Sequence, residues 1–217
     1  LWPDVRPRPE GERPAPSRPF EGIRVLDFGI GGVGVEAARF FADYGADVIK
    51  VESRSYPDFI RVVMSTEMSA SFASSNRSKR GLGVNIKTKQ GQAFIRELAK
   101  NVDVVTENSS TGTMDSLGLG YDALSKVNPG LVMTSSQLLG SHGAWADWIG
   151  YGPSTQPIGG LVYLWDYPED GVPAGSTSIF PDHTAGRLVS LVAAAALRRL
   201  MTSASRIHTA PRRPDLS

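Results

Sequence analysis

The sequence predicts an α/β fold, a mostly parallel sheet with helices on both faces. Two observations predict it: short runs rich in Val, Ile and Leu alternate with stretches of helical spacing, and glycine or polar residues mark the changeovers. Residues 1–19 (LWPDVRPRPEGERPAPSRP) alternate proline with charge and read as an extended linker or tail. The globular part begins near Phe20. Residues 23–28 (IRVLDF) read as a buried strand, Gly29 to Gly34 as a glycine-rich turn, and Val35 to Tyr44 as a helix stopped by Gly45. Residues 47–52 (DVIKVE) form the next strand, and Leu82 to Ile86 another. Thr88 is placed to cap a helix reaching Lys100, with Phe94, Ile95 and Leu98 inward. Strands follow at 102–107 (VDVVTE) and 131–135. Thr184 to Leu200 is an alanine- and leucine-rich helix, apolar nearly all round and so expected to be buried or at an interface. From Met201 onward apolar content collapses, so residues 201–217 read as a disordered tail.

Bulk composition narrows the function. The chain has 217 residues, enough for one substantial core, with 41% hydrophobic and 21% charged residues, as in an ordinary globular protein. A formal net charge of +1 argues against a dedicated nucleic-acid binder. The absence of cysteine removes disulfides, thiolate nucleophiles and Cys-type zinc sites, and fits a cytoplasmic protein. Neither His142 nor His208 has the carboxylate-rich setting of a metal site. The most apolar stretch, Leu188 to Leu197, is too short to span a bilayer, and the proline-rich start is no secretory signal.

Gly29, Gly31 and Gly34 satisfy G-x-G-x-x-G between a strand and a helix, and Glu52 ends the next strand. That arrangement lets backbone N–H groups and a helix N-terminus meet a pyrophosphate, as in NAD-binding oxidoreductases. The plainer reading is that glycines stand wherever a parallel strand turns tightly into a helix.

Several segments in order carry a more specific signal: PFEGIRVLDF, YGADVIKVES, NRSKRGLGVNIKTKQGQ, VDVVTEN, LGLGYDAL and NPGLVMTSSQLLGSHGAW. Over residues 19–200 this set resembles family III CoA-transferases, the formyl-CoA transferase and carnitine CoA-transferase group. The resemblance implies a Rossmann-like large domain. It also implies that residues 20–200 bind CoA and that no cofactor is tightly held, because CoA or acyl-CoA is a substrate. The family's nucleophilic aspartate, followed by glycine four residues later, matches Asp182 and Gly186 in PDHTAGRL. On pattern alone an aspartate after proline at a helix start reads as an N-cap. The resemblance further implies a CoA groove around Gly31, Gly32, Arg54, Val84, Lys87 and Asn108, a carboxylate acceptor, and an interlocked homodimer.

Departures from the family pattern fall at Val33-Gly34-Val35, Ser109-Ser110, Asp115-Ser116 and Gln137 to Gly140. They bear on CoA orientation and substrate class more than on fold. α-Methylacyl-CoA racemases share the fold but use a histidine whose position holds Tyr151, a poor acid–base group at neutral pH. His183 is expected at the surface or an interface. The family's pattern ends at Ala196-Leu197-Arg198-Arg199, and residue 1 is Leu. The expectation is therefore a truncated chain lacking the small second domain, either active or a non-catalytic remnant.

Overall fold

A computed structural model describes residues 17–66, 68–167, 169, 171–175 and 179–209. Residues 1–16 of the expected linker and 210–217 of the expected tail lie outside that set. Five strands form one all-parallel sheet: β1 (Arg24–Asp27), β2 (Asp47–Glu52), β3 (Arg80–Gly83), β4 (Val104–Glu107) and β5 (Val132–Ser135). Their order is β3-β2-β1-β4-β5, so the chain reverses its direction of winding between β1 and β4. Ligands of such sheets bind at the carboxyl ends of the strands flanking that reversal.

Both faces are covered. Neighbouring residues of the central strands alternate between two cores. Val25, Val48 and Val104 pack with Ala38, Phe41, Ala193 and Leu197. Leu26, Ile49 and Val105 pack on the opposite side with Ile95, Leu119 and Leu124. The first core is roofed by α1 (Gly32–Asp43) and α9 (Phe180–Thr209), which lie against each other. The second is roofed by α4 (Lys89–Ala99), with α5 (Thr113–Ser116) and α6 (Tyr121–Leu124). Between β2 and β3 stand α2 (Phe59–Val63) and α3 (Ala70–Asn76), and α7 (Gly152–Ile158) and α8 (Leu161–Leu164) precede α9.

Several expectations are refined. Thr88 caps α4 as expected, its hydroxyl accepting from the Gly91 N–H at 3.0 Å. Ile95 is buried and Leu98 partly so, but Phe94 is 43% exposed. β3 begins two residues earlier than expected, because Arg80 to Gly83 pair with Ile49 to Glu52. α9 starts ahead of Asp182 and runs to Thr209, past Leu200. The Thr202 hydroxyl donates to the Arg198 carbonyl at 2.9 Å, in the manner of a helical residue. Nor is α9 buried all round: Ala193 and Leu197 are covered, whereas Leu188, Leu191 and Val192 are more than half exposed.

Candidate active site

The loop after β1 is held from several directions. The Phe28 N–H donates to the Thr106 carbonyl at 2.8 Å, extending the β1–β4 pairing. Asp27 accepts from the Gly29 N–H at 2.7 Å and pairs with Lys79 Nζ at 2.8 Å, both side chains buried. Lys79 Nζ also donates to the Val35 carbonyl at 2.8 Å, tying α1 to β1. Burial pulls the Lys79 ammonium below its ordinary pKa, and the Asp27 carboxylate opposes that pull. Asn108 clasps Ile30 both ways, its Oδ1 accepting from the N–H at 2.8 Å and its Nδ2 donating to the carbonyl at 3.0 Å. Asp58 Oδ1 accepts from the Gly31 N–H at 3.1 Å. Lys50 Nζ donates to the Gly29 carbonyl at 2.7 Å and pairs with Asp58 Oδ2 at 2.8 Å.

This clamping sets Gly31 at φ 56° and Gly32 at φ 28°, left-handed values that disfavour a side chain. α1 therefore begins at Gly32, three residues before the expected Val35. Onto its start comes Asp182, in the first turn of α9 rather than ahead of the helix. A Cβ built on Gly32 would lie 2.8 Å from Asp182 Oδ2, and one on Gly152, at the start of α7, would overlap the same carboxylate. Asp182 is thus half-buried between two glycine backbones at helix N-termini, where N–H groups lack intrahelical acceptors. Burial raises its carboxyl above the usual aspartate value. His183 pulls the other way, and the Glu36 carboxylate adds to the rise.

The other expected site residues divide between two concavities. Val84 and Lys87 line a pocket of about 130 Å³ with Phe28, Tyr56, Met114 and Leu117, and Gly29 and Ile30 form one wall. The loop that meets Asp182 at Gly32 therefore also borders this pocket. Lys87 Nζ sits 3.5 Å over the Tyr56 ring, a cation–π contact. Arg54 lies apart from that pocket, in an open cleft of about 1260 Å³ with Arg61, Arg77 and Arg80. Asn108 spends its amide on the loop backbone. Tyr151 precedes α7, 60% exposed, stacked on Phe59 with ring centroids 4.8 Å apart.

Sequence reasoning missed the buried ions Asp27, Lys50, Asp58 and Lys79, and it missed Gly152. Asp27 and Lys50 did leave a signal, a charge directly adjoining the apolar residues of a strand. Gly152 left none, since one glycine in a loop-like stretch is uninformative. His183, expected at the surface or an interface, has its side chain 39% exposed and brings Nδ1 to 3.2 Å from Glu36 Oε2.

A five-stranded parallel sheet with helices on both faces and its winding reversed beside β1 defines a Rossmann-like α/β domain. The sequence profile of CoA-transferase family III matches residues 20–205, and the chain belongs to that family. It is 40% identical over 187 residues to a probable CoA-transferase of Mycobacterium tuberculosis, spanning 82% of this chain and 24% of that protein. It is 36% identical over 160 residues to the succinyl-CoA:glutarate CoA-transferase of Mus musculus, spanning 72% of this chain and 36% of that one. The crystal structure of a CaiB/BaiF family protein from Brucella suis superposes with a TM-score of 0.80 at 30% identity, covering 86% of this chain and 51% of the other. The chain thus spans well under half the length of the curated relatives it matches here.

Proposed function

We propose that this chain supplies the nucleophile and part of the CoA-binding surface of an enzyme that moves CoA between an acyl-CoA and a carboxylic acid. The observation that carries the reading is the seat of Asp182. Gly32 and Gly152, both lacking a Cβ, let the carboxylate rest against the backbone on two sides, and the α1 N-terminus offers N–H groups to a developing oxyanion.

In the proposed sequence, an Asp182 oxygen attacks the thioester carbonyl and CoA leaves as thiolate, giving a mixed anhydride. The thiolate then attacks the Asp182 acyl carbon and releases the original acid, leaving an aspartyl-CoA thioester. The acceptor carboxylate attacks that thioester, forming a second anhydride and freeing thiolate again. Thiolate attack on the acceptor's carbonyl yields the new acyl-CoA and regenerates Asp182. Covalent capture divides one difficult transfer into easier steps. CoA is a substrate throughout and no resident cofactor takes part. Phe28, Met114 and Leu117 offer apolar surface in the pocket bordered by Val84 and Lys87, and the Lys87 ammonium offers a cation to a phosphate there. Arg54 serves as a more distant phosphate partner. Leu188, Leu191 and Val192 present the apolar face of α9 from which a homodimer would be built.

The test is direct. The protein is incubated with an acyl-CoA, treated with hydroxylamine or borohydride, and the peptide carrying Asp182 is examined by mass spectrometry. A trapped product on Asp182, absent from Asp182→Asn, supports the proposal. Acylation confined to other residues, or none at saturating acyl-CoA, refutes it.

A further inference from the structure

Glu36 is buried in α1, its side chain 2% exposed, a position that charge alone would not choose. It is held there by Ser75, whose hydroxyl donates to Oε1 at 3.0 Å, and by Arg39, whose guanidinium stands 2.7 Å from Oε2. His183 Nδ1 comes to 3.2 Å from the same buried oxygen; like the Arg39 contact this is an ion-pair distance, and neither meets hydrogen-bond geometry.

His183 belongs to a stripe on α9. Residues 183, 186 and 190 share one helical face, and all three engage α1. At Gly186 the backbones come so close that a Cβ would lie 2.6 Å from Glu36 Cβ and 3.0 Å from the Val33 carbonyl. One turn further on, the Ser190 hydroxyl donates to the Ala37 carbonyl at 3.0 Å. Gly186 and Ser190 would dock the helix without any help. The His183–Glu36 contact adds a hold at the first turn, immediately beside Asp182, where a helix frays most readily.

We propose that Glu36 and His183 position Asp182: the buried carboxylate holds the imidazole, fixes the first turn of α9, and so sets how the Asp182 carboxylate meets Gly32 and Gly152. This rests on Asp182 being the nucleophile. Neither partner touches substrate in this role. An acidic residue buried under α1 acts through a histidine to aim a second carboxylate that it does not touch.

The experiment compares the full chain with His183→Ala, His183→Asn and Glu36→Gln. Asparagine can return an N–H group near the Nδ1 position. One readout is the set of NOEs from the Asp182 β-protons to the Gly32 and Gly152 α-protons, assigned with Asp182→Asn. The other is the rate of adduct formation at Asp182 with acyl-CoA. For His183→Ala the expected result is loss of the NOEs and an adduct rate lower by roughly tenfold to a hundredfold, the order that misplacing a reacting group brings. His183→Asn restores both, and Glu36→Gln falls between. Wild-type NOEs and rates in His183→Ala, whatever its Tm, overturn the proposal, since a contact that only docks the helix would lower stability and leave the aim of Asp182 unchanged. Failure of His183→Asn to restore the NOEs overturns it as well. A wild-type chain that shows the NOEs and forms no adduct instead sinks the nucleophile, so the two failures are distinguishable.

Discussion

Gly152→Ala separates stability from aim at Asp182. Gly152 is not among the residues with positive φ, so alanine fits its backbone without strain. Replacing glycine at such a position stabilises a fold by about 0.4–1 kcal/mol, chiefly by restricting the unfolded chain. The three atoms nearest the new methyl all belong to the Asp182 carboxyl group, with Cγ at 2.7 Å. Ordinary van der Waals contact for a Cβ begins near 3.4 Å, so Cγ must retreat by about 0.7 Å and the nearer Oδ2 by more. It can do so by rotating its short side chain, which keeps the stability cost small. A shift of that size at a reacting atom costs on the order of tenfold to a hundredfold in rate. The expected outcome is a urea midpoint equal to or above that of the wild type, with adduct formation at Asp182 slowed by at least tenfold. Gly22→Ala is the control. Gly22 has φ 82° and open space around its Cβ, so it should lose about 1–2 kcal/mol and keep its adduct rate per folded molecule. If Gly152→Ala forms the adduct at the wild-type rate, then the close seat of Asp182 does not govern its chemistry and the site reading fails.

Three further outcomes follow from the same geometry. Gly29→Ala places a methyl 2.5 Å from the Val35 nitrogen and 2.6 Å from the Gly34 carbonyl carbon, both backbone atoms that cannot swing away. It should cost about 3 kcal/mol in urea unfolding, at the upper end for overpacking. Lys79→Met strands the buried Asp27 carboxylate and should cost about 3–5 kcal/mol, much of it recovered in Asp27→Asn/Lys79→Met; equal losses in the single and double variants would contradict the pairing. Asp182→Asn should be more stable than wild type at neutral pH, because the folded state holds the Asp182 carboxyl above its unfolded value and so disfavours the ionised form. As pH falls through the raised folded pKa that advantage shrinks, and below the unfolded value near 3.9 it is gone. Thermal unfolding across pH reads it directly, and a constant difference at all pH values would refute the assignment.

How much of this was legible depended on what each segment has to bury. β1, β2, β4 and β5 stand out because their Val, Ile and Leu runs feed two cores at once. β3 was misplaced toward Val84 and Ile86 because Arg80 to Gly83 offers only Leu82 as apolar content; as an edge strand it needs a partner, Ile49 to Glu52, more than a core. The short helices α2, α3, α7 and α8 went unread because they span 4–7 residues, too few for an apolar period to show. Residues 201–209 carry few apolar side chains but continue a helix already propagating from Phe180, and propagation is easier than nucleation. Asp182 itself was visible only through resemblance, since its local pattern is that of any residue near a helix start.

The glycine loop shows why a correct motif can suggest the wrong ligand. Gly29 is required because Val35 and Gly34 leave no space for a side chain, and Gly34 because Asn108 Oδ1 would lie 2.7 Å from its Cβ. Gly31 adopts φ 56° with its N–H turned to Asp58. Each glycine answers to a neighbour in the chain, so G-x-G-x-x-G encodes the tight turn and the close approach of α1 to the sheet. What stands at the helix N-terminus is a separate matter. A dinucleotide enzyme reserves that place for pyrophosphate. Here the Asp182 carboxylate rests against Gly32 in that place, brought there by a helix some 150 residues later in the chain. A negative charge from the protein itself at the α1 N-terminus repels a pyrophosphate, and under the proposed function the same N–H groups serve an oxyanion forming beside Asp182. The turn is shared between the two kinds of domain; under the proposed function, the residue delivered to it from α9 decides between their chemistries.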